Sequence, residues 1–153
     1  MPEQRQPQDY PIQPTFIVVK EIHFASRRPP RKTDKIDESQ IKFSQSLSPF
    51  DEVQKRIQVT LSAEFGFDTS ATNPPFSVKV VMIGEFAISD EFPRDKIQLW
   101  ANVNAPFVIY PYLRERLYYI TSQGGFPPIM LPLLQIPTIK LEKPQPAPEM
   151  AQK

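Results

Sequence analysis

The sequence has no cysteine, one histidine and four glycines in 153 residues. Without cysteine there are no disulfides, no thiolate nucleophiles and no zinc–thiolate sites. A lone histidine, His23, does not make a usual zinc ligand set, and neither HExxH nor GxSxG occurs. Four scattered glycines leave no GxGxxG and no phosphate-binding loop. Charge of one sign is also missing: 18 Lys and Arg against 17 Asp and Glu give +1, so no global field draws the chain to nucleic acid or acidic membrane. No run of 18 apolar residues is present, and Met1 to Gln6 lack the apolar region of a signal peptide. The expectation is a cytoplasmic protein without membrane insertion. It should be no enzyme, with no catalytic residue, no metal site and no cofactor.

Proline is what the chain has in excess, 19 residues of it. Glycine is too rare for collagen, and 40% hydrophobic residues with 11% aromatics exclude a wholly disordered chain. Proline fixes φ and lacks an amide donor, so it marks element boundaries better than interiors. The prolines crowd both ends, in residues 2–14 and 127–148, and punctuate the middle. Residues 1–14 and 142–153 read as extended polar tails, which leaves one domain over 15–141.

The proline-poor intervals carry the periodicity. Phe16, Val18, Ile22 and Phe24 share one face of a strand over Phe16–Ala25. Ile41, Phe43 and Leu47 do the same over Gln40–Ser48. Alternation from Val53 to Phe67 predicts a long strand with one wet face, and Phe76–Ile88 predicts another, with Gly84 as a bulge. Four strands with short links imply an antiparallel sheet. After Pro93 the period becomes helical: Ile97, Trp100, Ala101 and Asn104 recur at helical spacing, and Pro106 to Gln123 continues as a second helical stretch. Ile109, Leu113, Leu117 and Ile120 form one stripe, and Val108, Tyr112, Glu115 and Tyr119 form another, roughly opposite. A helix apolar on two faces is usually buried on two faces, so Val108, Tyr112 and Tyr119 are expected at a subunit interface. The alternative is a half-exposed helix with its tyrosine hydroxyls in water. Pro111 predicts a kink or a late start, and Gly124-Gly125 a left-handed helix end.

Two polar features have competing readings. His23 and Glu21 stand one strand period apart, a spacing acid–base chemistry can use, although a strand histidine on a partly exposed edge is the plainer reading. Arg27, Arg28, Arg31 and Lys32 could hold a phosphate backbone, with nearby phenylalanines stacking bases. Asp34, Asp37 and Glu38 offset that charge, which favours a stiff solvated loop and argues against nucleic acid.

Tyr110-Pro111-Tyr112-Leu113-Arg114-Glu115, followed by Gly125-Phe126-Pro127, resembles the SecB export-chaperone family. That family carries an apolar-Pro-Tyr-Ala-Arg-Glu stretch in its long helix and a Gly-x-Phe-Pro turn about ten residues later. Leu113 stands where the family has a small residue, and Leu131-Pro132 lies near its Leu-x-Pro spacing. Val19-Lys20-Glu21-Ile22-His23-Phe24 is similar to its first strand. The similarity covers about residues 15–137, with specificity concentrated in 106–132.

The resemblance implies an α+β fold, with a four-stranded antiparallel sheet packed on a long kinked helix. It also implies a homotetramer built as a dimer of dimers, and unfolded preproteins as partners, bound in apolar grooves and kept export-competent for the secretion motor SecA. Prolines 127, 128, 132, 137 and 144 are too closely spaced for the family's second helix, so an extended arm over Ile129–Leu141 is expected instead. The groove is expected from the helix face, linker 25–40 and arm 126–136, lined by Ile36, Ile41, Phe43, Trp100, Phe126, Leu131, Leu133 and Leu134. For Ile41 and Phe43, ordinary core packing is an equal alternative. The family's SecA-docking surface is acidic. At the matching positions Glu21, Ala25 and Lys79 only Glu21 keeps the acid, which weakens docking. A specialised chaperone for one client, such as an antitoxin, is therefore the rival within the class, and a single-strand nucleic-acid module is the rival outside it. A purely structural oligomer is the third reading.

Overall fold

The computed structural model describes residues 9–70 and 72–134. Four strands come first: β1 (Ile12–Ser26), β2 (Lys42–Leu47), β3 (Arg56–Phe65) and β4 (Phe76–Ile88). Two helices follow, α1 (Ile97–Val103) and α2 (Ala105–Gln123). The strands form one antiparallel sheet in the order β1-β4-β3-β2, so β1 and β2 are its edges. The helices lie on one face, and the α+β expectation holds. No described helix is long and apolar enough to cross a membrane.

Period 2 decides which face is covered. In β4, Phe76, Val78, Val80, Met82, Phe86 and Ile88 are buried against the helices, and Ile57, Val59, Leu61, Ala63 and Phe65 of β3 continue that layer. From α2, Ile109, Leu113 and Leu117 complete it with no exposed surface. Gly84 makes no bulge, because its pairing with Val59 falls in an unbroken register. It lies instead where α2 crosses the sheet: a Cβ there would stand 2.9 Å from Ile109 Cδ1. The strand gives up a side chain so that the helix can come close.

Strand boundaries differ from the sequence reading, most of all at the starts of β1 and β3. β1 starts at Ile12, not Phe16, so residues 12–14 of the expected tail belong to the sheet. Ile12 pairs with Ile88 and is buried, and Pro14 is tolerated because β1 is an edge strand. The register of β1 also shifts twice, between Pro14 and Phe16 and between Val19 and Glu21. An extra residue reverses the facing of everything after it. Phe16 and Val18 therefore stand opposite Glu85 and Ile83 on the outer face, while Ile22 and Phe24 stand opposite Val80 and Val78 on the helix face. They do not share a face as the alternation predicts.

β3 starts at Arg56, not Val53. Asp51 Oδ1 accepts hydrogen bonds from the amides of Val53 and Gln54, both at 2.9 Å, and Lys55 takes φ 57°. A side-chain turn thus competes successfully with the strand. Val53 is 92% exposed. The two helical stretches fall where the sequence places them: α1 ends at Asn104, whose amide donates to the Trp100 carbonyl at 2.7 Å, and the kinked α2 that follows holds Pro111 inside it.

Candidate functional site

The site grows from the C-terminal end of α2. Gly125 takes φ +79°, its amide donates to the Ser122 carbonyl at 3.0 Å, and the Phe126 amide donates to the Thr121 carbonyl at 3.3 Å. This paired closure is a Schellman end, and it requires a residue that is comfortable in the left-handed region. It reverses the chain so that Phe126 packs on Phe76, with ring centroids 4.6 Å apart.

From there the chain runs back along α2 without forming a helix. Three side chains of α2 hold it. Thr121 Oγ1 accepts from the Ile129 amide at 3.0 Å, Arg114 Nε donates to the Leu131 carbonyl at 2.7 Å, and the Tyr110 hydroxyl donates to the Pro132 carbonyl at 2.5 Å. Burial pushes the Tyr110 phenol above its ordinary value, partly opposed by the positive charge of Arg114. Ile129 and Leu131 drop into the core, whereas Met130, Leu133 and Leu134 face out. Tyr110 and Arg114 of the YPYLRE stretch are thus the groups that bind the arm.

The arm walls two open apolar clefts. The first, of about 370 Å³, lies between it and α2 and is lined by Phe107, Pro111, Tyr118, Met130 and Leu133 among others. The second, of about 310 Å³, lies between the helices and the edge strand β2 and includes Phe43, Leu61, Val103 and Pro106. Phe107, Tyr110 and Leu134 belong to both. Gln45 of β2 fixes the far wall, donating to the Asn102 carbonyl at 2.8 Å.

The eight groove residues expected from sequence divide sharply. Ile41, Trp100, Phe126 and Leu131 are buried in the core and line neither of these two clefts. Trp100 meets Phe86 edge-on at 5.1 Å, and Phe126 is consumed in closing the helix. Ile36 is half-buried against the core. Phe43, Leu133 and Leu134 are exposed and line the clefts. Phe107, Tyr110, Val103, Tyr118 and Met130 were missed. The stripe Phe107, Pro111, Arg114, Tyr118 at helical spacing was a signal for part of this set.

Val108, Tyr112 and Tyr119 are exposed along α2, and Tyr119 Oη accepts from Gln123 Nε2 at 3.0 Å. On the outer sheet face Glu21 lies 3.8 Å from Lys79 Nζ. His23 bonds the Ser77 hydroxyl at 3.1 Å and stacks near Phe67. In the basic linker, Arg28 pairs with Asp34, which lowers the Asp34 carboxyl below its ordinary value, and Arg27 donates to the Pro74 carbonyl. Half of that cluster is committed within the chain.

A sheet backed by helices, with an open apolar groove along a helix, is the architecture of a polypeptide-binding protein rather than of an enclosed-pocket one. The chain belongs to the SecB family of protein-export chaperones: the family model for preprotein translocase subunit SecB matches residues 3–139. The protein-export protein SecB of Mesorhizobium japonicum is 32% identical over 116 residues, covering 74% of this chain and 67% of that protein. The SecB of Thiobacillus denitrificans is 32% identical over 75 residues, and there the match spans only 45% of the relative's length. An uncharacterised protein of Methanocaldococcus jannaschii is 25% identical over 124 residues, 78% of this chain and 76% of that one. Among solved structures, the SecB-like chaperone of Mycobacterium tuberculosis, in complex with a peptide from an antitoxin, superposes with a TM-score of 0.66. Its identity is 20%, and the superposition covers 83% of this chain and 93% of that one. That likeness establishes the shared fold.

Proposed function

We propose that the protein binds unfolded polypeptides along the α2 groove and keeps them competent for export, acting by binding and without catalysis. The observation that carries this reading is the pair of open clefts joined through Phe107, Tyr110 and Leu134. Apolar burial contributes about 25 cal/mol per Å² whatever the sequence, so such a surface accepts many clients with little preference. Backbone order is needed only in the bound segment, which offsets part of the gain. The α2 stripe Val108, Tyr112 and Tyr119 supports assembly into a homotetramer, and the cytoplasm is the compartment where preproteins await export.

Charge at the matching positions opposes handover to SecA. Glu21 is the remaining acid of the docking surface, and Lys79 sits beside it, so the local field is close to neutral. That contact favours a second reading, a chaperone dedicated to one client and working without SecA. Suppression of aggregation of an unfolded protein tests the main reading, with Phe107→Asp as the groove variant. Protection by the native protein and its loss in Phe107→Asp, with unchanged melting, is expected. Equal protection by both would remove the groove from the account. A SecA binding assay alongside it separates the two readings.

A further inference from the structure

Two methionines fall within the described residues, and they stand in opposite surroundings. Met82 of β4 is 2% exposed in the core layer, whereas Met130 of the arm is 51% exposed and lines the first apolar cleft beside Phe107, Pro111, Tyr118 and Leu133. The arm leaves Met130 no other place. Its neighbours Ile129 and Leu131 fill the core, the Ile129 amide is held by Thr121 Oγ1 at 3.0 Å, and the Leu131 carbonyl is held by Arg114 Nε at 2.7 Å. In an extended chain clamped on both sides, the middle residue points away from its two neighbours. The thioether of Met130 is thereby kept at the cleft wall and within reach of water. A flexible, polarisable thioether suits contact with side chains of many shapes, and it is also a group that oxidants attack.

We propose that Met130 is a modification site through which peroxide weakens client binding: oxidation of its thioether to the sulfoxide makes an apolar part of the cleft wall polar. The inference rests on the client-groove reading. The sulfur lone pair attacks one oxygen of hydrogen peroxide, the O–O bond breaks as the S–O bond forms, and the other oxygen leaves as water with both protons. The sulfur loses two electrons and the peroxide gains them, so no further co-reactant is needed. Met82, shut in the core, is protected from the same reaction. The new sulfoxide oxygen is an acceptor in need of a donor, and two donors of the lining, the Tyr110 hydroxyl and Arg114 Nε, are already taken by arm carbonyls. A client that covers the cleft therefore strips water from the sulfoxide without replacing it, which lowers affinity by about five- to ten-fold in so open a site. Phe43 and Leu61 of the second cleft carry no thioether, so binding is weakened and not abolished.

The test treats the full chain with hydrogen peroxide, removes the oxidant, and titrates in a fluorescent unfolded polypeptide. Peptide mass spectrometry follows oxygen addition at each methionine. Met130→Leu, which keeps the size and apolar character of the side chain, is carried through the same steps. The expected result is that Met130 gains oxygen well before Met82, and that client affinity falls about five- to ten-fold as it does so. Met130→Leu should keep its affinity, although Met1, Met82 and Met150 are still present in it. An equal fall in Met130→Leu, complete oxidation at Met130 with unchanged affinity, or oxidation of Met82 ahead of Met130 overturns the proposal while leaving the client groove standing. If the untreated protein binds no unfolded polypeptide, the client reading itself fails and the coupling to Met130 falls with it.

Discussion

Replacing Leu131 by alanine separates structural from surface residues of the arm. Leu131 has no exposed surface and belongs to the same core as Leu113 and Ile109, while its near neighbour Leu133 is 83% exposed. Truncating a fully buried leucine costs about 2–5 kcal/mol through lost transfer energy and a residual cavity. The arm is pinned on both sides of Leu131, by Thr121 behind it and Tyr110 ahead, so collapse into the space is limited. A mid-range loss of about 3 kcal/mol corresponds to a fall in Tm of about 6–12 °C for a chain of this size. With an m-value of about 1.5–3 kcal/mol/M, the urea midpoint falls by about 1–2 M. The assay is built in: Trp100 is the only tryptophan and is packed against Phe86, so its fluorescence follows the core. Leu133→Ala, at the same protein concentration, should move the midpoint by less than about 0.5 kcal/mol equivalent. If Leu131→Ala leaves the midpoint where Leu133→Ala does, the arm is not part of the core and the groove has lost its wall.

Three smaller perturbations probe other parts of the account. Tyr110→Phe removes the hydroxyl that donates to the Pro132 carbonyl and should cost about 1 kcal/mol in urea unfolding, with client affinity weakened because the arm is held less firmly. Glu85 accepts from Gln58, Arg56 and Thr15 on the outer sheet face, and these bonds hold its carboxyl below the ordinary value. A carboxyl lowered on folding stabilises above its unfolded value, about 4.3, and loses that contribution as pH falls through the folded one. Stability measured from pH about 6 down to about 3 should therefore drop, and Glu85→Gln should flatten the drop. Lys79→Glu removes the cation beside Glu21 and should strengthen SecA binding in a salt-sensitive way, as measured by surface plasmon resonance.

Much of the architecture was legible because it rests on simple periods. Phe76–Ile88 reads as a strand because six alternating large apolar side chains admit no other burial, and the helical stripe Ile109, Leu113, Leu117 is equally direct. Gly125 and Phe126 belonged to the most specific motif, and the structure gives the reason: they close α2 and launch the arm. The misplaced boundaries share one cause. At Asp51 and at the β1 register shifts, local hydrogen bonding and an extra residue override a hydrophobic pattern that continues through them. The groove was only half legible for a different reason. An apolar residue in an extended arm looks the same whether it faces core or solvent, and only the carbonyls taken by Tyr110 and Arg114 fix that Leu131 turns in while Leu133 turns out. The same ambiguity holds for Phe126, while Trp100 lies on a helix that borders the groove, and aromatic neighbours claim both.

Site-directed photocrosslinking is the most direct test of where a client sits. A photoreactive residue is placed at Phe107, between the two clefts, and in a second protein at Val18, on the outer sheet face, and each is irradiated with a labelled unfolded polypeptide. The account predicts a strong crosslink from position 107 that excess unlabelled client removes, and none from position 18. A crosslink from position 18 with position 107 silent would contradict it, and would move client binding from the helix groove to the open sheet.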